Sequence, residues 1–209
     1  RLLAEIGIPQ VDFFPARRAG AMPAIGPQTR VLLAQPFLAD TQRALAARGA
    51  RRLPALYPFG ADGTTAWLQA AATAFGIGAA RFGQAVAPGR ERARQALARH
   101  RATLAGRSLF FFPDSQLEPA LARFAAGELG MQLVEVGTPY LHRTLMAEEL
   151  AALPPGTTVT EGGDVERQLD RCRAARPDLV VCGLGLANPL EAEGMTTKWS
   201  IELVFTPVH

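Results

Sequence analysis

The residues best suited to chemistry follow short apolar runs in the second half of the chain. Tyr140 and His142 come after one such run, and Gly183 and Gly185 come after another. A histidine can donate a hydrogen bond or exchange a proton near neutral pH. Glycines directly after an apolar strand allow a backbone to approach a ligand closely. These positions therefore predict a ligand-binding edge made of turns.

Four turns share this position after a predicted strand, namely 113–116, 137–142, 161–164 and 183–188. In an open parallel sheet, ligands bind beyond the carboxyl ends of the strands, because helix N-termini and free N–H groups point there. A structural role is the alternative at each position. Ser115 and Asp164 are good helix caps, the glycines suit tight turns, and His142 can serve only to hold its loop.

The turn at 183–188 resembles a dinucleotide-binding fingerprint only in part. The third glycine of G-x-G-x-x-G is replaced by Asn188, and the lysine of a phosphate-binding loop is missing as well. No serine lies in a G-x-S-x-G elbow, so there is no sign of a nucleophilic triad. The sequence thus disfavours nucleotide binding at this turn and assigns no catalytic residue.

The two cysteines, Cys172 and Cys182, lie on the apolar stripe of a predicted helix and at the end of an apolar strand. Both positions predict buried packing residues. The three histidines, His100, His142 and His209, do not cluster with them, so we predict no metal site on this chain. Two cysteines are too few for a secreted disulfide framework, which favours a reducing cytoplasm.

The last segment, residues 191–202, places the only lysine, Lys198, beside one of the two tryptophans, Trp199. A threonine cap at Thr196 or Thr197 predicts a helix that contains both. Trp199 could plug the core, or it could form a flat apolar wall for a large planar ligand.

Composition limits the class of protein. With 209 residues, 48% of them hydrophobic and 20% charged, the chain has the balance of a soluble globular protein. No apolar run reaches the roughly 20 residues of a membrane span. The pI near 9.4 could suggest nucleic acid, but the net charge is only +3 and the arginines are scattered. The chain begins without Met, and we expect it to be part of a longer protein.

Hydrophobic periodicity predicts strands alternating with helices, which is typical of a parallel sheet with right-handed crossovers. We expect three parts: a linker at 1–29, a partial Rossmann-like domain at 30–105, and a second Rossmann-like domain at 106–209 that ends in a pocket helix. The doubly wound unit should run from about Arg107 to Val204. The predicted strands are 30–35, 52–57, 108–112, 131–136, 157–160 and 179–182, and the predicted helices are 40–48, 64–75, 88–104, 118–129, 144–153 and 165–175.

Several long strings resemble one family. They are FFFPDSQLE at 110–118, LVEVGTPYL at 133–141, RPDLVVCGLGLANPL at 176–190 and TKWSIE at 197–202. Together they resemble the N subunits of light-independent (dark-operative) protochlorophyllide reductases, a nitrogenase-like family, and the likeness extends over the whole chain. The resemblance implies two Rossmann-like, doubly wound α/β domains of a nitrogenase-like fold.

The resemblance also implies a function in chlorophyll and bacteriochlorophyll biosynthesis. In that family, N and B subunits form an N2B2 heterotetramer, and a separate iron-sulfur ATPase, the L subunit, delivers electrons. The electrons pass through a [4Fe-4S] cluster at the N/B interface to protochlorophyllide, whose D-ring double bond is reduced to give chlorophyllide. This is a ferredoxin-dependent, ATP-driven oxidoreductase of photosynthesis.

The same resemblance assigns little chemistry to these residues. The family's cluster ligands on this subunit are three N-terminal cysteines that Cys172 and Cys182 do not match, and its proton-donating Asp belongs to the B subunit. We therefore expect the chain alone to be inactive and to supply the scaffold and part of an apolar pigment pocket. Within the matched string, Trp199 is the predicted wall of that pocket.

Two kinds of alternative stay open. The first is a paralogous nitrogenase-like subunit, either of chlorophyllide reductase or of a scaffold for metallocluster assembly. The second, from another class, is a nucleotide-sugar transferase with paired Rossmann domains, which has the same layout. That enzyme would bind a nucleotide in its crevice, whereas a pigment reductase subunit would not.

Overall fold

The chain folds into two compact units in its computed structural model, which describes residues 1–16 and 18–199. Contacts within the chain separate Arg1–Gln95 from Ala96–His209. The division predicted from the sequence, into 1–29, 30–105 and 106–209, stays a prediction. Among the described residues, none of the helices has both the length and the apolar content needed to cross a membrane.

The first unit consists mainly of helices around a very short parallel sheet. Strands β1 and β2 have two residues each, with Arg30 opposite Arg51, and are shorter than the predicted strands. Its core combines the first helix with the third and the start of the fourth through Ile6, Leu68 and Phe82. The elements are α1 Leu2–Glu5, a 3-10 turn at Ala19–Ala21, β1 Arg30–Val31, α2 Ala39–Ala47, β2 Arg51–Arg52, α3 Gly60–Ala74 and α4 Ala79–Leu104.

The second unit is a doubly wound parallel sheet, as predicted. Its strand order is β5-β4-β3-β6-β7, so the chain builds one side of β3 and then crosses to the other side. After α4, the elements are β3 Ser108–Phe111, α5 Glu118–Leu129, β4 Gln132–Thr138, α6 Ala147–Ala152, β5 Val159–Glu161, α7 Val165–Ala175, β6 Leu179–Cys182, α8 Leu184–Ala192 and β7 Thr197–Trp199.

The central strand β3 is buried on both faces because its side chains alternate between two cores. Leu109 and Phe111 pack into a cluster with α5, whereas Phe110 and Phe112 pack into a cluster with α7 and α8. Each of these four side chains is at most 2% exposed. Burying one such side chain stabilises the fold by about 1.5–3 kcal/mol. The run of three phenylalanines therefore fixes the sheet between two layers of helices.

Two helices start several residues earlier than predicted. Helix α4 begins at Ala79, so Pro88 lies inside it, on an exposed surface. A proline there removes one helical hydrogen bond but does not by itself end the helix. Helix α3 begins at Gly60, and the hydroxyl of Thr65 donates to the carbonyl of Ala61 at 2.6 Å. That threonine lies inside the helix and bonds back onto the preceding turn.

The predicted C-terminal pocket helix is wrong for the residues that the structure describes. Thr197–Trp199 form β7, which pairs with β6 in parallel, and the rest of the predicted helix, Ser200 to Glu202, lies outside the described residues, as does Val204. Thr197 and Trp199 are partly buried and Lys198 is exposed, which is the two-residue period of a strand. Consecutive threonines also favour strand over helix, because their branched side chains restrict rotamers in a helix.

The turn predicted at 183–188 is also shorter than expected. Helix α8 begins at Leu184, directly after β6, and includes Pro189. Only Gly183 connects the two elements, with extended backbone. Ala187 and Leu190 of this helix pack into the core. The residues after Gly183 are therefore helical and do not form a loop.

Candidate functional site

The candidate site lies at the carboxyl ends of β3 and β6, where the direction of winding reverses. The chain leaves β3 toward α5 on one side and leaves β6 through Gly183 toward α8 on the other. A Cβ added to Gly183 would lie 3.2 Å from the carboxylate Oδ1 of Asp114. The two connections thus meet at the position where doubly wound sheets bind ligands.

Glu118, the first residue of α5, binds the backbone of the loop between β3 and α5. Its carboxylate Oε1 accepts the backbone N–H groups of Asp114 at 2.8 Å and Ser115 at 2.6 Å, and its side chain is buried. The N-cap of α5 is Leu117 and not Ser115, although the Ser115 hydroxyl accepts the N–H of Leu117 at 3.3 Å. The spacing of Ser115 and Glu118 matches a capping box, a signal that could have identified this glutamate from the sequence.

At Gly137, the backbone of β4 lies close to β3 and α7. A Cβ at this glycine would lie 2.3 Å from the Nε2 of Gln168 and 2.8 Å from the carbonyl oxygen of Phe111. The buried Gln168 amide donates to Glu135 Oε1 at 3.0 Å. No pattern in the sequence indicates this contact. It forms because Gly137 has no side chain, which leaves room for Gln168 from helix α7.

Glu135 forms the polar centre of this contact. Burial by itself would raise the pKa of its carboxyl group, but the hydrogen bonds from Arg171, Thr160 and Gln168 outweigh burial and lower it. The Arg171 guanidinium donates two hydrogen bonds to the Glu135 carboxylate, at 2.7 and 2.8 Å, in a bidentate arrangement. The charged carboxylate therefore ties α7 to β4 and β5.

The loop after β4 brings Tyr140 and His142 to the same edge. Leu141 between them is buried, and its N–H donates to Glu161 Oε1 at 2.9 Å. The N–H of Leu145 donates to the backbone carbonyl of His142 at 2.9 Å and is shared with the Nδ1 of the His142 ring at 3.3 Å. His142 thus has the structural role considered from the sequence, and its second nitrogen is not used in that role.

The turn between β5 and α7 has a purely structural explanation. Asp164 is the N-cap of α7, and its carboxylate accepts the N–H groups of Glu166 at 3.0 Å and Arg167 at 3.4 Å. This confirms the cap considered from the sequence and satisfies two otherwise unpaired donors of the helix.

Trp199 lies at the carboxyl end of β7, in register with Cys182 at the end of β6. Its indole is partly buried and packs against the core cluster that contains Phe110 and Leu190. Leu184, the first residue of α8, follows the end of the neighbouring strand β6 and is 51% exposed. The fold therefore places Trp199 and the turn at Gly183 on neighbouring strands of one edge, with Tyr140 and His142 at the end of β4.

Neither thiol suits an iron-sulfur cluster. Cys172 and Cys182 are fully buried, and burial raises the pKa of each to about 11, which opposes the thiolate that a metal needs. Among residues 1–16 and 18–199, no group of three His, Cys, Asp or Glu side chains could hold a metal ion. The residues present thus do not fit a cluster.

Comparison with known sequences gives one consistent family. The profile of nitrogenase component 1 type oxidoreductases matches residues 1–207. A light-independent protochlorophyllide reductase subunit N from Rubrivivax gelatinosus is 71% identical over 100% of this chain and 49% of its own length. The subunit of that name from Rhodospirillum rubrum is 68% identical over 100% of this chain and 48% of its own length. The chain spans about half the length of these curated relatives.

Comparison with solved structures agrees on the fold. Nitrogenase Cp1 at pH 5 superposes with a TM-score of 0.54 over 72% of this chain and 36% of its own, at 13% sequence identity. Nitrogenase Cp1 at pH 6.5 gives a TM-score of 0.55 over 72% of this chain and 39% of its own, at 12% identity. The fold is therefore nitrogenase-like, as the resemblance implied.

Proposed function

The chain belongs to the nitrogenase component 1 type oxidoreductase family, and from this premise we propose that it is part of the N subunit of a light-independent protochlorophyllide reductase. One observation supports this most strongly: relatives with that name are 64–71% identical to it across all 209 residues. The resemblance of the sequence strings to N subunits is confirmed by the same comparison.

The proposed enzyme reduces the D-ring double bond of protochlorophyllide. In this proposal the N subunit pairs with a B subunit as N2B2, and an iron-sulfur ATPase, the L subunit, supplies the electrons. A [4Fe-4S] cluster would supply the electron relay of the complete assembly. The two thiols of this chain do not fit that cluster, so its ligands belong to other parts of the assembly. The role left to these residues is to form the scaffold and part of the substrate pocket. Two free, buried cysteines suit a cytoplasmic location.

We propose that Trp199 forms an apolar wall of the pigment pocket. Its partly buried indole is supported from behind by the core and lies at the carboxyl edge of the sheet. Large planar ligands bind to such rigid aromatic surfaces, which provide contact area without chemistry from the side chain. The exposed side chain of Leu184, at the end of the neighbouring strand, adds to the apolar character of this edge.

Replacing Trp199 with Ala should weaken protochlorophyllide binding by about tenfold or more, because a large aromatic contact is lost. The measurement is a fluorescence titration of pigment into the full-length N subunit assembled with its B partner. Phe75→Ala serves as the matched control, since Phe75 is an aromatic residue of the first unit that is 55% exposed. Equal affinity of the Trp199 variant and the native protein would remove Trp199 from the pocket.

The function itself is tested by turnover of the complete system. The full-length protein with its B and L partners should convert protochlorophyllide to chlorophyllide in darkness, without oxygen and only when ATP is present. Chlorophyllide offered as the alternative substrate separates this function from that of the paralogous chlorophyllide reductase. A folded, cluster-loaded complex that leaves protochlorophyllide unchanged would overturn the proposal.

The nucleotide-sugar transferase alternative has no support in the family comparison. The connection after β6 is a single glycine, and the Asp114 carboxylate lies beside it, which would repel a phosphate group there. We therefore expect no binding of nucleotide sugars, which a calorimetric titration of the full-length protein checks.

A further inference from the structure

The two-stranded sheet of the first unit has an open edge along β1. The N–H of Arg51 donates to the carbonyl of Thr29 at 3.0 Å, and the N–H of Leu53 donates to that of Val31 at 2.8 Å. Because alternate residues of a strand face a given neighbour, Leu32, directly after β1, turns its N–H and C=O away from β2. Neither group of Leu32 has a hydrogen-bond partner among the residues that the structure describes.

The open edge lies against the core of its unit. Leu32 is partly buried, and its side chain packs, as does that of Val11, against the cluster that contains Ile8. A backbone group shielded from water is almost always paired in a folded protein, because leaving it unpaired is costly. Parallel strands are also found almost only in larger sheets whose faces are covered by other elements. The edge of β1 therefore indicates a further strand beside it.

The other edge of the sheet is built differently. Arg52 turns its N–H and C=O away from β1, and Pro54 follows two residues later on the same side of the chain. Proline has no N–H for a ladder, and within sheets it belongs to edge strands. Pro54 is also exposed. The sequence of β2 thus suits the outside of a sheet, so a further strand belongs beside β1 and not beside β2.

Exposed apolar side chains follow the segment that packs with Leu32. Phe13 is 76% exposed, Met22 is 47% exposed and Phe14 is 37% exposed. Single exposed apolar residues are normal, but a group this close together in the chain is typical of a surface that another part of a protein covers. The first unit therefore has both an unpaired backbone edge and an uncovered apolar surface.

The rest of the full-length protein is long enough to supply the strand. The chain spans 49% and 48% of two subunits N that it matches, so about half of each lies outside it. A strand added in parallel needs a crossover of about a dozen residues or more. A strand of the same polypeptide also loses less translational and rotational freedom on pairing than a separate chain does. Both arguments favour the same subunit over a partner.

We propose that a strand from the part of the full-length N subunit outside these 209 residues pairs with the open edge of β1. The sheet of the first unit then has at least three strands, with β1 in its interior and β2 at one edge. This inference rests on the proposed function only in taking the chain as part of such a subunit. It adds that the first unit depends on the rest of its own subunit, and not on the B partner, for a complete sheet.

Hydrogen exchange at the amide of Leu32 tests the proposal directly. It is followed by mass spectrometry at single-residue resolution, once on the full-length N subunit alone and once on the N2B2 assembly. In both, the Leu32 N–H should exchange about a hundredfold or more slowly than in the unfolded chain, because a neighbouring strand binds it. Gly163, in the exposed turn before α7, is the reference that should exchange fast.

Substitution at the same residue separates strand pairing from packing. Leu32→Ala removes most of the side chain and keeps the N–H, whereas Leu32→Pro also removes the N–H. With a strand beside β1, the proline variant of the full-length subunit should unfold at a lower urea concentration than the alanine variant. Equal midpoints would contradict the proposal. The exchange measurement needs no variant and stays decisive if the proline variant fails to fold.

The outcomes distinguish the candidate neighbours of β1. Slow exchange of Leu32 in the subunit alone and in the assembly supports a strand of the same subunit. Slow exchange only in the assembly would assign the neighbour to the B partner, and fast exchange in both would leave the edge open to solvent. Either of these two results overturns the inference. Dark, ATP-dependent turnover of protochlorophyllide is measured on the same assembly with the L subunit, so the proposed function and the strand can fail separately.

Discussion

Replacing Arg123 with Ala should lower the free energy of unfolding by about 3–5 kcal/mol, because it leaves a buried carboxylate without its ionic partner. The Nε of Arg123, on α5, lies 2.6 Å from Oε2 of Glu149, on α6. The two side chains are only 7% and 0% exposed, so water cannot replace the lost guanidinium. Urea-induced unfolding of the full-length protein, followed by circular dichroism, measures the loss.

A double variant distinguishes the ion pair from simple packing. Arg123→Met combined with Glu149→Met removes both charges and keeps most of the volume, so it should recover a large part of the lost stability. Arg94→Ala is a control at an exposed pair, where Arg94 and Glu91 lie 2.6 Å apart and water screens the charges. If Arg123→Ala proved no more destabilising than Arg94→Ala, the buried pair would not stabilise the contact between α5 and α6.

Replacing Gly137 with Ala should cost about 1–3 kcal/mol of stability and should also weaken pigment binding. The new methyl group would lie 2.3 Å from the Gln168 amide and 2.8 Å from the Phe111 carbonyl, and the carbonyl cannot rotate away. Either the loop after β3 or helix α7 must shift, and both form the carboxyl edge of the sheet. Unfolding in urea and the pigment titration measure the two effects.

Gly127→Ala is the matched control and should act in the opposite sense. Gly127 lies on the exposed side of α5, and a Cβ there would meet nothing within 4 Å. Alanine in a helix is favoured over glycine by about 0.5–1 kcal/mol, so this variant should be slightly more stable, with unchanged pigment affinity. A Gly137 variant that behaved like the Gly127 variant would show that the close approach can be relieved at little cost.

The second unit could be predicted from the sequence because each element there has a strong local signal. The bounds of α5, α7 and β6 agree with the prediction to the residue. An apolar run flanked by helical spacing fixes a buried strand, Asp164 caps α7, and Gly130 ends α5 with a left-handed backbone. Local chemistry and long-range packing favour the same structure in these segments.

Errors arose where long-range contacts overrule local preference. Thr197 to Trp199 have a helix-capping pattern in isolation, yet pairing with β6 makes them a strand. Pro88 marks a helix start by local rules, but α4 passes through it. The candidate edge was predicted because turns after parallel strands always converge there. Gly137 and Gln168 were missed, because their contact joins residues 31 positions apart that no periodicity connects.

The strand order of the second unit also determines how the chain must be assembled. Strand β3 is made early and pairs with β4 at once, but its other neighbour, β6, lies far along the chain, where Ser108 is joined to Asp178 across 70 residues. At a synthesis rate of about 5–20 residues per second, that edge of β3 waits roughly 4–14 s for its partner on the ribosome. An apolar strand with an open edge can pair with any other chain it meets during this interval. The central position that buries β3 between two partners in the finished fold thus leaves one of its edges unpaired for a long interval during synthesis.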